Sequence, residues 1–307
     1  MMKTIRVQTA APYDVVIGNG LLKDTGHRVH DIKKRCDTVC IITDSTVAPL
    51  YLDIVVKSLE DAGVRTLSYI FKSGEQSKNM ETSMEIAAFL SDHYVTRRDL
   101  LAALGGGVTG DLAGFTASVY QRGMDYIQLP TTFLAAIDSS VGGKTAVNIP
   151  QGKNLVGSFW QPKLVLCDID TLDTLSGDAF ADGAAEAVKY GCIWDEALFD
   201  MMEREGIGDN VGAIIARCVQ IKAQVVKEDE KDMALRQILN FGHTAAHALE
   251  KLSGFTVSHG RAVAMGMVIA ARAGEKAGIT IRGTSDRIID ILKASNLPVT
   301  SPYAIDD

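Results

Sequence analysis

The sequence predicts two domains, an α/β domain with a parallel sheet followed by an all-helical domain. Short β-branched apolar runs alternate with helical patterns up to about residue 170. Beyond that point the strand signals give way to segments rich in Ala, Glu and Met with helical spacing. A length of 307 residues also suits two domains with a sizeable core. We place the boundary within 171–177, which gives domains over residues 1–174 and 175–307.

Strands and helices alternate through the first domain. The predicted strands are 38–44, 65–71, 99–105, 125–132 and 163–170. The predicted helices between them are 50–63, 80–94 and 110–123. This alternation indicates a parallel sheet with helices on both faces. In the second domain, helices are predicted at 178–193, 210–228, 236–252, 260–278 and 284–295.

Composition and charge exclude several classes of protein. The net charge of −7 argues against a nucleic acid or an anionic membrane as partner. The longest uncharged run, 126–137, is shorter than the ~18 residues of a membrane span. No apolar signal core stands at the start of the sequence. The five cysteines are scattered, with no CxxC zinc pair, which predicts free thiols in a cytoplasmic protein.

A glycine cluster predicts nucleotide binding. In LLAALGGGVTGDLAGF (100–115), a strand leads through Gly105, Gly107 and Gly110 into a helix, in the spacing G-x-G-x-x-G. Glycines there let backbone N–H groups approach a pyrophosphate. Asp44 ends an early strand, where an acid binds a ribose hydroxyl, although a turn aspartate has the same pattern.

A second glycine-rich stretch, DSSVGGKTAVNIPQGKNLVGSF (138–159), carries basic residues. Lys144 and Lys153 flank two asparagines among apolar residues. Lysines on such loops suit phosphate binding, and Asp138 suits a substrate hydroxyl. The regular pattern favours this interpretation over a solvated loop.

Polar residues also form a stripe in the second domain. If 236–250 is one helix, Arg236, Asn240, His243 and His247 fall within a sector of about 60°. Burying such groups unpaired costs about 1–3 kcal/mol each, so they need a ligand, a metal or one another. A helix that begins late, at Gly242, would instead remove Arg236 from the stripe.

Three further residues extend this hypothesis. Glu186 and Lys189 stand one turn apart in GAAEAVKYG (183–191), a spacing also found in surface ion pairs. His259 precedes an apolar helix, where it would equally serve as a cap. Glu186, His259 and one of His243 and His247 would make the three-ligand set of a catalytic zinc site. The long gaps between them leave the set open on spacing alone.

Motifs along essentially the whole chain are shared with one known family. They are GEQSKN, GGGVTGD, YQRG, LPTTFLAAIDSSVGGKTAVN, GKNLVGSFWQP, GAAEAVKYG, RQILNFGHTAAHALE and SHGRAVAMGM. Together the motifs resemble the 3-dehydroquinate synthases of the sugar-phosphate cyclase superfamily. The resemblance implies a Rossmann-like NAD-binding domain, an all-α metal-binding domain and an active site between them.

Matching motif positions implies a role for each site residue. The ligands of Zn²⁺, or of Co²⁺, would be Glu186, His243 and His259. The NAD contacts would be Asp44, Glu75, Lys78, Gly106, Gly107, Val108, Asp111, Thr131, Thr132, Lys144, Lys153, Thr171 and Thr174. The substrate phosphate would meet Lys144, Asn154, Asn240 and His247, with Arg122 supplied by the second subunit of a homodimer. The substrate carboxylate would meet Arg236 and Lys222, and its hydroxyls Asp138 and Lys189.

The implied reaction converts 3-deoxy-D-arabino-heptulosonate 7-phosphate to 3-dehydroquinate and phosphate, in the shikimate route to aromatic amino acids. It comprises transient oxidation by NAD, phosphate elimination, re-reduction and an intramolecular aldol cyclisation. The metal would act as a Lewis acid on substrate oxygens. The phosphate's own oxygen would take the proton, so the protein mainly positions the reactants.

The sequence departs from the family at three places. Ala246 stands where the family has Gly, and Arg261 where it has Glu. Neither is a ligand position, so altered packing is expected and not loss of activity. Family members also run some tens of residues further and carry another phosphate-binding lysine near the C-terminus. This sequence ends at Asp307, so we expect that segment to be missing from it.

Three other functions fit parts of the pattern. A sister cyclase, such as 2-deoxy-scyllo-inosose synthase or a valiolone synthase, would use a substrate without a carboxylate, and Arg236 argues against it. A metal-dependent polyol dehydrogenase would release NADH in place of phosphate. A non-catalytic binding protein would not need the complete set of Glu186, His243 and His259.

Overall fold

A computed structural model describes residues 2–303 of the chain. Within this range, seven strands form one sheet and two more form a hairpin beside it. The sheet strands are β1 (Lys3–Val7), β2 (Tyr13–Gly18), β3 (Thr38–Asp44), β4 (Arg65–Phe71), β5 (Leu100–Gly105), β6 (Asp125–Pro130) and β9 (Leu164–Asp168). The hairpin strands are β7 (Lys144–Ile149) and β8 (Gly152–Phe159). The helices are α1 (Thr25–Ile32), α2 (Ala48–Asp61), α3 (Met80–Asp92), α4 (Gly107–Val119), α5 (Gly177–Ile193), α6 (Glu196–Glu205), α7 (Val211–Glu228), α8 (His243–Leu252), α9 (His259–Lys276) and α10 (Thr284–Ala294).

The sheet has the order β1-β2-β9-β6-β5-β3-β4. All neighbours pair in parallel except β1 and β2, which are antiparallel. The predicted parallel sheet is therefore confirmed. The carboxyl ends of β3, β5, β6 and β9 meet at one edge, which is where open parallel sheets bind ligands.

The five predicted strands are all present, with ends within two residues of the prediction. Strands β1 and β2, helices α1 and α6 and the β7–β8 hairpin were not predicted from the sequence. The glycine-rich stretch 138–159 has the pattern of a loop, because Gly and Asn interrupt the alternation of a strand. The hairpin register shifts between Val147 and Ile149, a bulge that further blurs the period-2 pattern.

The predicted single helix over 236–252 is wrong. Leu235–Asn240 forms a 3₁₀ turn, and α8 begins only at His243. Gly242 between them has a positive φ of 79°, and a Cβ there would lie 2.6 Å from the backbone nitrogen of Met267. Because the helical path is interrupted at this glycine, Arg236 and Asn240 do not share a helix face with His243 and His247.

One apolar core joins the sheet to the helical part. Tyr13 and Val15 of β2 are buried in the same cluster as Val219 of α7 and Val263 of α9. Two further cores lie on the faces of the sheet under the surrounding helices. The division into domains at residues 174 and 175 stays a prediction. Among residues 2–303, no helix is long and apolar enough to cross a membrane.

Candidate active site

Glu186, His243 and His259 meet between three helices. Glu186 lies in the middle of α5, and the two histidines are the first residues of α8 and α9. Glu186 Oε1 is 3.4 Å from His243 Nε2 and 3.2 Å from His259 Nε2. Their ligand atoms all lie within 4.8 Å of one another. The structure thus brings His243, and not His247, to the other two residues.

Two glycines of α9 allow this convergence. A Cβ on Gly260 would lie 2.3 Å from the Cα of Asp182 in α5, and one on Gly266 would lie 2.0 Å from the carbonyl oxygen of Gly242. A side chain at either position would push α9 away from its neighbour. The absence of a side chain at Gly260 and Gly266 therefore allows α9 to pack closely against α5 and against the start of α8.

The three side chains fit a divalent metal ion. His243 Nδ1 lies 3.2 Å from the carbonyl oxygen of Phe241, which leaves Nε2 free to act as a ligand. Burial opposes ionisation of Glu186, but Lys189 and the two histidines hold its pKa well below the usual value. One carboxylate and two imidazoles with space for a further ligand are typical of catalytic zinc, and cobalt accepts the same donors.

A buried charge network adjoins this cluster. Lys189 forms ion pairs with Glu186 and, at 3.5 Å, with Asp138. Glu186 and Lys189 are 0% and 1% exposed, so they are not a surface pair. Asp138 lies in a short π-helix, Ala135–Ser139, and also contacts Lys222. Although burial opposes it, Lys222 and Lys189 lower the pKa of Asp138 to about 2, and burial lowers that of Lys222 to about 8.

Arg236 is almost entirely buried behind this network. Its guanidinium donates to the carbonyl oxygens of Gly142, at 3.2 Å, and Glu230, at 2.9 Å. The backbone N–H of Arg236 also donates to Asp229 at 3.0 Å. Arg236 therefore fixes two loops as well as carrying a positive charge near Asp138.

The predicted nucleotide residues collect at the carboxyl edge of the sheet. Asp44 ends β3, Gly106 caps α4, and Thr131 follows β6. Gly107, Val108 and Asp111 belong to α4, while Thr132 follows Thr131 and Thr171 and Thr174 follow β9. A Cβ on Gly106 would lie 3.0 Å from Thr132, so the glycine lets these segments approach closely. Asp44 also accepts from the backbone N–H groups of Thr46 and Val47, as the turn interpretation expects.

The hairpin is tied to the same edge by polar contacts. Lys78 donates to Asp111 at 2.5 Å and to Asn154 at 2.6 Å. Asn148 donates to Glu75 at 2.7 Å. These contacts attach the hairpin to the segments that carry the predicted nucleotide residues.

The predicted phosphate residues are exposed, and one is not in reach. Lys144 pairs with Asp232 at 2.5 Å, and Asn154, Asn240 and His247 are exposed. The His247 ring packs edge-on against His243 with centroids 5.6 Å apart, and burial together with His243 lowers its pKa. Arg122 follows the far end of α4, about 20 Å along the helix from the glycine turn. Within one chain it does not reach the site.

Three residues near the site are not predicted by any pattern in the sequence analysis above: Tyr51, Asp232 and Glu250. The hydroxyl of Tyr51 lies 2.6 Å from that of Thr174. Asp232 pairs with Lys144, and Glu250 lies 3.7 Å from His259. Of the three, only Glu250 could have been found from the sequence, since it stands two helical turns after His243 in the same motif.

Comparison with known proteins places this architecture in a family. A model described as 3-dehydroquinate synthase N-terminal matches residues 68–182, and one described as 3-dehydroquinate synthase C-terminal matches residues 183–307. The chain belongs to the 3-dehydroquinate synthase family. The 3-dehydroquinate synthase of Streptococcus suis (strain 05ZYH33) is 45% identical over 303 residues, and the match covers 96% of this chain and 85% of the relative. The predicted family and type of enzyme are thereby confirmed.

Solved structures of related cyclases have the same fold as this member of the 3-dehydroquinate synthase family. A 2-deoxy-scyllo-inosose synthase with carbaglucose-6-phosphate, NAD⁺ and Co²⁺ superposes with a TM-score of 0.87 at 26% identity, covering 95% of this chain and 82% of that one. The 2-epi-5-epi-valiolone synthase of Streptomyces hygroscopicus, with NAD⁺ and Zn²⁺, gives 0.86 at 27% identity, covering 97% and 84%. The sister cyclases are thus structural relatives, while the family models favour 3-dehydroquinate synthase.

Proposed function

We propose that this chain converts 3-deoxy-D-arabino-heptulosonate 7-phosphate to 3-dehydroquinate and phosphate. The observation that carries the proposal is the buried cluster of Glu186, His243 and His259 beside the charged network of Asp138, Lys189 and Lys222. Such a site offers a metal ligand set and several fixed charges around one small polar substrate. Membership of the 3-dehydroquinate synthase family selects the reaction among those that this site would support.

The proposed reaction needs a divalent metal ion and NAD, and the structure contains residues that suit both. Glu186, His243 and His259 would hold Zn²⁺ or Co²⁺, and the residues at the carboxyl edge of the sheet would hold NAD. When bound, NAD accepts and returns a hydride, while the metal ion polarises substrate oxygens. The related cyclase structures with NAD⁺ and Co²⁺ or Zn²⁺ support this choice.

The side chains around the cluster bind and orient the substrate. Lys189 and Asp138 would hydrogen-bond its hydroxyls, since both lie beside the metal ligands. Lys222 and Arg236 would bind the substrate carboxylate and neutralise its charge. The phosphate would contact Lys144, Asn154, Asn240 and His247. Holding the reacting groups in one geometry lowers the entropic part of the barrier, which is the main contribution expected from this chain's own residues.

A phosphate-release assay tests the proposed reaction. The heptulosonate substrate is mixed with enzyme, NAD and Zn²⁺, and both phosphate and NADH absorbance are followed. We expect phosphate to accumulate without net NADH, and release to stop when NAD or the metal is withheld. Stoichiometric NADH would instead identify a polyol dehydrogenase, and no turnover with metal and NAD bound would favour a binding protein.

Arg236 tests the substrate against that of a sister cyclase. A guanidinium suits a carboxylate, so Arg236→Ala is expected to abolish turnover of the heptulosonate. Because Arg236 also fixes two loops, its variant is compared with wild type by thermal unfolding first. Near wild-type kcat/KM in a folded variant would contradict the assignment of the substrate.

A homodimer is part of the proposal, because Arg122 does not reach the site of its own chain. Arg122→Ala and His243→Ala variants, each inactive alone, should regain activity when mixed, since one mixed site carries both native residues. Absence of activity in mixtures that exchange subunits would contradict the shared site. We further place the protein in the cytoplasm, where the substrates of this pathway would be found.

A further inference from the structure

Glu250 faces His259 from the side opposite to Glu186. Glu250 Oε2 lies 3.7 Å from His259 Nδ1, while Glu186 Oε1 lies 3.2 Å from Nε2 of the same ring. A metal bound with Glu186 and His243 would use Nε2. Nδ1 would then carry the proton, on the side of the ring where Glu250 lies. Glu250 is therefore a neighbour of a ligand and not itself a ligand.

Glu250 is itself held in place by the hairpin. Lys153, in β8, donates to Glu250 Oε1 at 3.1 Å and lies 4.4 Å above the ring of Phe255. The backbone N–H of Phe255 donates to the carbonyl oxygen of Glu250 at 2.7 Å. The Glu250 side chain is only 7% exposed. One carboxylate oxygen thus faces Lys153 and the other faces His259.

Helix α8 places two functional groups on one face. His243 begins the helix and Glu250 lies seven residues later, which is about two turns. His243 turns its Nδ1 to the Phe241 carbonyl, whereas His259 has the Glu250 carboxylate in the corresponding place. A carboxylate holds an imidazole N–H more strongly than a neutral carbonyl does.

We propose that Glu250 is a positioning residue that fixes the ring of His259 for metal binding. Lys153 holds the Glu250 carboxylate in place for this role. The inference rests on the metal site of the proposed function. Groups that orient a histidine ligand in this way change metal affinity by about 10–100-fold when they are removed. Glu250 would thereby also link the hairpin to the metal site.

The test uses Glu250→Ala, the isosteric Glu250→Gln and Lys251→Ala as the control. Lys251 is the exposed neighbour of Glu250 on the same helix. Zn²⁺ affinity is measured by competition with a chromophoric chelator, without NAD or substrate. The visible spectrum of the Co²⁺ form is recorded as well, because it reports coordination geometry.

Glu250→Ala is expected to lower Zn²⁺ affinity by about 10–100-fold and to alter the Co²⁺ spectrum. Glu250→Gln keeps an oxygen for Nδ1–H but loses the charge, so a smaller loss and a native-like spectrum are expected. Lys251→Ala should match wild type. If Glu250→Ala does not fold, Glu250→Gln decides, and wild-type Zn²⁺ affinity in that variant overturns the inference.

A further variant distinguishes failure of the metal site from failure of the role proposed for Glu250. Glu186→Gln should abolish tight Zn²⁺ binding if the site exists. Unchanged binding in Glu186→Gln would refute the metal site of the proposed function. Lost binding in Glu186→Gln with unchanged affinity and spectrum in Glu250→Ala would refute only the role of Glu250.

Discussion

Lys222 donates to the backbone carbonyl oxygen of Asp138 at 2.6 Å and contacts the carboxylate of the same residue. The Lys222 side chain is nearly buried and that of Asp138 is 21% exposed, so the charge of each depends on the other. Lys222 and Lys189 keep Asp138 ionised, with a pKa of about 2. Burial lowers the pKa of Lys222 to about 8, despite the opposing effect of Asp138. Lys222 is thus the partner whose charge changes just above neutral pH.

The first prediction concerns this titration. A lysine is charged below its pKa, so the proposed binding of the substrate carboxylate by Lys222 would be present below about pH 8 and lost as the pH rises through that value. We expect kcat/KM for the heptulosonate to fall above about pH 8. Lys222→Arg should lower the rate but remove this limb, because arginine stays protonated. An unchanged limb in Lys222→Arg would show that another group titrates.

The second prediction concerns the packing of α9. In Gly266→Ala the new methyl would lie 2.0 Å from the carbonyl oxygen of Gly242, so the helices must separate. We expect a loss of about 1–3 kcal/mol in the free energy of unfolding, measured with urea. Gly177→Ala is the control, because a Cβ there meets nothing within 4 Å. Equal stability of the two variants would contradict the close contact.

The third prediction concerns metal binding and stability. A metal ion that binds only the folded chain stabilises it by about 2.7 kcal/mol at a free concentration of 100 times Kd. Adding Zn²⁺ should therefore raise the Tm of wild type but not of Glu186→Gln. Glu186→Gln should also unfold more easily without metal, since Lys189 loses one of its buried partners. The measurement is thermal unfolding with chelator and with Zn²⁺, and an equal Tm rise in both proteins would contradict it.

The parallel sheet could be predicted because its signals are local. The strand 38–44 has an apolar run at 39–42 that is buried on both faces, and its predicted bounds match the structure. Edge strand β1 alternates exposed and buried residues over only five positions, too short a pattern to stand out. The hairpin depends on contacts such as Lys78 with Asn154, far apart in sequence, which no local pattern reveals.

The site was harder to predict than the fold. The polar stripe of Arg236, Asn240, His243 and His247 is predicted only if 236–250 is one continuous helix. The position of Met267 against Gly242 forces the break, and that contact is tertiary. Spacing alone does not distinguish His243 from His247, because both lie on α8. The family resemblance implies His243, and the fold shows that it is His243 that faces Glu186.

The last prediction concerns Lys144, which pairs with Asp232 at 2.5 Å and is half-exposed. If Lys144 binds the substrate phosphate, the Asp232 carboxylate competes with it. Exposed ion pairs contribute about 0.2–1 kcal/mol, so Asp232→Asn should lower KM by at most about 5-fold and leave stability nearly unchanged.

The matched variant is Lys144→Met, which should raise KM and in which Asp232→Asn should have no further effect. Steady-state kinetics on the four proteins of this cycle would measure the interaction directly. A lower KM from Asp232→Asn in the Lys144→Met background would mean that Asp232 repels the phosphate itself. Lys144 would then not be the group for which the two compete.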